Sequence, residues 1–180
     1  MIPFFICNFA YYVNAKDLIL SNKAQLMDKK EIFNRIEYVV ACVGAFAQRY
    51  NLSNMQAYAY LRRFTGIDFL LDCYAAEHTL SIEDAVSDLQ VICQREGGKI
   101  NLKTHRIMTQ DIQFQIECPA AELAEMLMAE YHWDIHRALD ELYSSTTFTK
   151  LNDPECGLYY QGAVYIFQFL KSEIETGKVA

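Results

Sequence analysis

The chain has 180 residues, 52% of them apolar and 22% charged, enough to bury a core without metals or disulfides. Its formal net charge of −7 lies mostly in the second half: residues 97–180 hold seven Lys/Arg against twelve Asp/Glu, residues 1–96 nine against eleven. That charge repels phosphate and disfavours general nucleic-acid binding. It suits a basic partner, although acidity of this size also serves solubility alone.

The chain opens on an apolar run, Ile2–Val13, short of the ~20 residues of a membrane span. It lacks the basic start and small-residue cleavage site of a signal peptide. Met27, before Asp28-Lys29-Lys30, reads as a second chain start. Residues 1–26 are therefore expected to be an N-terminal extension, with Phe4, Phe5, Ile6, Phe9 and Tyr12 packed on the body if ordered.

Apolar residues at Phe33, Ile36, Val39, Val40, Val43, Phe46 and Ala47 have the rhythm of a helix with one buried face, over 31–50. Asn51-Leu52 turns the chain. Ser53, with Gln56 three positions on, forms a capping box for a helix over 54–64. Thr65-Gly66 breaks it, with Gly66 suited to the left-handed position that ends a helix. A third helix is expected over 67–76, and Ser81 with Asp84 starts a fourth over 82–95, ended by Gly97-Gly98. Residues 99–110 have no helical period and read as a linker, in which Ile100, Leu102 and Ile107 could form a short extended piece. Pro119 fits the first turn of a helix over 120–131. Asp134 caps a helix over 135–143, Leu151–Gly157 carries turns, and an apolar helix covers 161–174.

The pattern repeats. Tyr50, Ala57, Leu61, Thr65, Leu70 and Asp72 recur as Tyr131, Ala138, Leu142, Thr146, Leu151 and Asp153, and 131 minus 50 gives an offset of 81. Toward the end Val86 aligns with Val164 at an offset of 78. No period-two pattern lasts long enough for a sheet. The expected fold is all-α: two tandem helical units of about four helices each, over 27–98 and 111–180, packed into one bundle-like body.

Chemistry is sparse. There is no glycine-rich phosphate loop, no H-E-x-x-H and no G-x-S-x-G. The six cysteines form no C-x-x-C pair and read as reduced thiols of a cytoplasmic protein. His132 and His136 have a metal-ligand spacing, but Asp134 as a cap places His132 outside the helix, and no further ligands are at hand. Asp68 and Asp72 are expected on an exposed helix face, and Arg62-Arg63 at a helix C-terminus suits the helix dipole. A helix-turn-helix over 53–76 would present an apolar, acidic recognition helix. No catalytic, cofactor or metal residue is expected. His78-Thr79 stands at a turn, where a side chain either bonds backbone or makes outside contacts.

Residues 31–96 resemble a family of short, uncharacterised all-helical bacterial proteins. The resemblance is carried by helix 36–50, Leu52-Ser53, Gly66-Ile67-Asp68-Phe69-Leu70, Tyr74, His78-Thr79 and the closing helix from Ile82. In the second half Leu151–Gln161 and Val164-Tyr165 look like the closing segment of such chains, without a His-Thr pair. Genes of this kind often lie beside genes for ADP-ribosyltransferase-like toxins. The resemblance therefore implies a non-enzymatic, antitoxin-like or accessory protein that binds such a neighbour. The partner-binding candidates are Tyr74, His78, Thr79, Tyr159, Tyr160 and Gln161. The alternatives are a small-molecule binder or small enzyme with a pocket between the two units, and third a nucleic-acid regulator.

Overall fold

A computed structural model of the chain describes the backbone of residues 6–99 and 110–177, and the side chains of 28–99 and 115–177. The expected packing of Phe4, Phe5, Ile6, Phe9 and Tyr12, and the extended piece at Ile100, Leu102 and Ile107, fall outside the described side chains. Backbone contacts divide the chain at Asn34 into residues 1–34 and 35–180. Residues 6–34 are helical.

The fold is all-α, with no strand among the described residues. In chain order the helices are α1 (Ile6–Tyr50), α2 (Asn54–Arg63), α3 (Gly66–Asp72), α4 (Tyr74–Glu77), α5 (Ile82–Arg95), α6 (Gln110–Tyr131), α7 (Ile135–Ser144), α8 (Thr146–Leu151) and α9 (Ala163–Thr176). A 3-10 turn at Leu158–Tyr160 precedes α9.

Local chemistry sets the boundaries. Asn51 ends α1 with φ 56 and His132 ends α6 with φ 55, both left-handed. Ser53 Oγ accepts from the Gln56 amide at 3.2 Å, and the Gln56 side chain accepts from the Ser53 amide at 3.0 Å, so the expected capping box is formed. Asp134 accepts from the Arg137 amide at 2.8 Å, and Ser81 from the Asp84 amide at 3.1 Å.

Four expectations are corrected. The third helix is interrupted at Cys73, giving α3 and the single turn α4. Thr65, at φ 59, takes the left-handed position expected of Gly66. Gly66 instead lies inside α3, where an added Cβ would come 2.8 Å from Leu61 Cδ2 and 3.2 Å from both Cys93 Sγ and Leu89 Cδ2. Close packing, not backbone freedom, calls for glycine there. Pro119 lies in the middle of α6, which starts at Gln110. Proline deprives the carbonyl four residues earlier of its partner; that residue, Gln115, is exposed, so water can serve the carbonyl.

The fourth correction concerns the repeat. The offset of 81 holds to the end: α2 and α7 start at 54 and 135, α5 and α9 at 82 and 163. Ala85, Val86 and Leu89 are buried, as are Ile166, Phe167 and Leu170. Val164 is 68% exposed and so is not the counterpart of buried Val86; Phe167 is. The same spacing links Val39, Val40, Cys42, Val43 and Phe46 with Ala120, Ala121, Leu123, Ala124 and Leu127, all buried. Volumes change while the inward register stays.

Helices α2 and α7 pack together within the body. Asn54 Nδ2 donates to Asn152 Oδ1 at 2.9 Å in a buried pair. The Tyr58 and Tyr143 rings stack with centroids 4.3 Å apart and planes at 4°. Tyr58 Oη donates to Asp140 at 2.6 Å and Arg62 Nε to the same oxygen at 3.1 Å. Arg62 thus joins a cross-helix ion pair and does more than face a helix dipole. Asp68, expected on an exposed face, is half-buried here, 3.4 Å from Arg62 and 3.5 Å from His136 Nδ1. The His136 contact is an ion-pair distance without hydrogen-bond geometry. Thr149 Oγ1 meets Met55 Sδ at 3.3 Å. Adding 81 to Met55 gives His136, and adding 81 to Asp68 gives Thr149. The Met55–Thr149 and His136–Asp68 contacts are therefore reciprocal, as in a twofold contact.

Candidate interaction surface

Buried groups offer little reactivity. Burial pushes the Cys42 thiol up to about 12 and the Cys93 thiol to about 11, so neither is a thiolate near neutral pH. Burial, then its hydrogen bond to Asp140, raises the Tyr58 phenol, which stays a neutral donor. Among the described residues no group of three His, Cys, Asp or Glu could hold a metal ion.

Four of the six candidate residues occupy corresponding stations in the two halves. His78 and Thr79 lie 81 positions before Tyr159 and Tyr160, at the turn leading into the closing helix. Tyr74 is half-buried: its ring meets Tyr38 edge-on at 5.7 Å, stacks on His78 at 4.4 Å and lies 4.9 Å from the Arg35 guanidinium. His78 is exposed, with Nδ1 against the Tyr74 carbonyl, and Thr79 Oγ1 donates to the Ala76 carbonyl at 2.7 Å. These bonds hold the turn. Tyr159 is buried, at 8% exposure, and props Tyr160, its ring 4.3 Å away. Tyr160 is 71% exposed and Gln161 is exposed.

Composition and repeat reading missed the surface next to Tyr160. Among the described residues five large apolar side chains are exposed, and three of them, Tyr160, Val164 and Tyr165, fall within six residues around the start of α9. Tyr165 meets half-buried Phe169 edge-on at 5.0 Å. In the first half the matching positions carry Thr79, Glu83, Asp84 and Asp88, the solvated face of α5. The apolar residues at the start of α9 thus stand where the corresponding stretch of the first half is polar. An offset of 81 carried through α9 would have revealed it; an offset of 78 hid Val164 in the core.

A second feature lies within the second half. A cleft of about 380 Å³ is lined by Trp133, Arg137, Glu141, Ser144 and Glu173, among others. Arg137 lies over the indole of Trp133 at 4.4 Å. At the matching place in the first half stand Tyr60 and Phe64, with rings 4.9 Å apart.

Residues 37–96 match a family described as a protein of unknown function (DUF3791). The domain of unknown function covers about a third of the chain, from the later part of α1 to the end of α5. No curated protein and no solved structure matches the chain. Among the described residues no helix is long and apolar enough to cross a membrane.

Proposed function

We propose that this chain is a non-enzymatic protein-interaction module built from two tandem copies of one helical unit, over 27–98 and 111–180. The single observation that carries the interaction is the apolar patch of Tyr160, Val164 and Tyr165, set where the first half is acidic. Surfaces of this kind are costly to leave open unless they are used. Tyrosine suits them, bringing area with little entropy to lose. The tandem reading is supported by the spacing of 81 in helix starts, caps and buried positions, and by the reciprocal contacts between α2 and α7. An antitoxin-like or accessory role follows from the resemblance to proteins encoded beside ADP-ribosyltransferase-like toxins.

The test is co-expression with the protein encoded next to it, followed by size-exclusion chromatography and a ribosyltransferase assay on that neighbour. The expected result is a stoichiometric complex, lost on Val164→Ser/Tyr165→Ser, with the neighbour's activity lowered in the complex. A complex indifferent to both substitutions, or no complex, defeats the reading.

Ligand binding is the second reading, favoured by the Trp133–Arg137 cleft. It lies inside the second half and not between the halves. Arg137→Ala should then lower the affinity of whichever small molecule a thermal-shift screen finds; a screen with no stabilising compound would remove this reading.

A further inference from the structure

We propose that the outward face of α9 docks a cationic amphipathic helix of a partner protein, in preference to a second copy of this chain or a lipid surface. The proposal rests on the interaction reading above and names the chemistry of the partner. Val164 and Gln168, and Tyr165 and Phe169, are each one turn apart, so the four lie together on one face. From Val164 to Phe169 the helix rises about 7.5 Å, room for two successive anchors one turn apart on a docked helix.

Charge selects among helices. Between Asp153 and Gly177 there are four carboxylates, Asp153, Glu155, Glu173 and Glu175, and one cation, Lys171. Lys171 is bonded to Glu130 and lies 3.9 Å from Glu175. The Glu173 carboxylate is taken up by Thr146 and Thr147. Glu175, which follows the patch, is already paired with Lys171 and accepts from Tyr131 Oη at 3.4 Å, which leaves the exposed Asp153 and Glu155 before it. Lysine or arginine on the flanks of a docking helix meets these carboxylates. A second copy would bring the same carboxylates and a further charge of −7, and an anionic bilayer would be repelled in the same way.

The experiment titrates the full chain with two synthetic helical peptides that share one leucine stripe, one flanked by lysine and the other by glutamate. The lysine peptide should bind and weaken at least about tenfold on Val164→Ser/Tyr165→Ser, as when anchors of an interface are cut back. Glu83→Gln/Asp84→Asn, on the acidic α5 face, should change its affinity less than about twofold, since α5 carries none of the patch residues. The glutamate peptide should not bind. If the serine variant binds the lysine peptide as tightly as the parent, attraction is charge alone and the proposal fails. Equal binding of both peptides overturns the cationic assignment. So does sedimentation as a dimer that the serine variant dissolves, or flotation with phosphatidylserine vesicles. None of these outcomes bears on whether the neighbouring protein forms a complex, so failure here and failure of the function above are separable.

Discussion

At the scale of single residues, Asp140 makes the most of its position. One carboxylate oxygen accepts from Tyr58 Oη at 2.6 Å and from Arg62 Nε at 3.1 Å, joining α7 to α2. Its counterpart in the first half is Ala59, so the repeat alone does not foretell the bond. Asp140→Ala leaves a largely buried phenol without an acceptor and should lower unfolding free energy by about 2 kcal/mol in urea titration. Asp140→Asn keeps an acceptor and should cost about half of that. A null effect of both would mean that the junction is held by ring stacking and side-chain packing alone. By contrast Val164→Ser/Tyr165→Ser removes no buried contact of the core and should shift stability by under about 0.5 kcal/mol. That quiet background makes it a clean probe of binding.

At the scale of elements, the short α8 depends on a side chain from a neighbouring helix. Glu173 of α9 accepts from the Thr146 amide at 2.6 Å, the Thr147 amide at 2.9 Å and the Thr147 hydroxyl at 2.7 Å. Burial opposes its ionisation, but these donors outweigh burial and hold its carboxyl below the usual range. A carboxyl whose folded pKa is lowered contributes stability above its unfolded pKa and loses it as pH falls through the folded one. Thermal stability should therefore drop below about pH 4.5, with part of the slope absent in Glu173→Gln, which should itself cost about 1 kcal/mol at neutral pH. Parallel pH curves for parent and variant would show that Glu173 does not carry the slope. The caps at Ser53, Ser81 and Asp134 were legible because a cap is a local event, one side chain meeting an amide three residues on. The break at Cys73 and the reach of Glu173 were not, since both depend on packing between elements far apart in sequence. Gly66 shows the same limit: its composition signalled a turn, whereas Leu61, Leu89 and Cys93 decide its place.

At the scale of the body formed by residues 35–180, the α2–α7 junction determines whether the halves unfold together. Each half, at 60–70 residues, is near the smallest size that folds alone, so contacts across the junction form a large share of its stability. Those contacts include a buried Asn54–Asn152 hydrogen bond, the Tyr58–Tyr143 stack and the Asp140 pair. Halves joined in this way should melt in one cooperative transition, with calorimetric and van't Hoff enthalpies equal. Asn54→Ala leaves Asn152 Oδ1 without its donor and should lower that single transition by several degrees, the shift expected of about 1–2 kcal/mol in a chain of this size. The decisive readout is the number of transitions. If Asn54→Ala splits the melt into two, the halves keep separate cores and the junction only docks them. If the parent already shows two, the body is a pair of independent folds and the reciprocal contacts at Met55–Thr149 and Asp68–His136 are incidental.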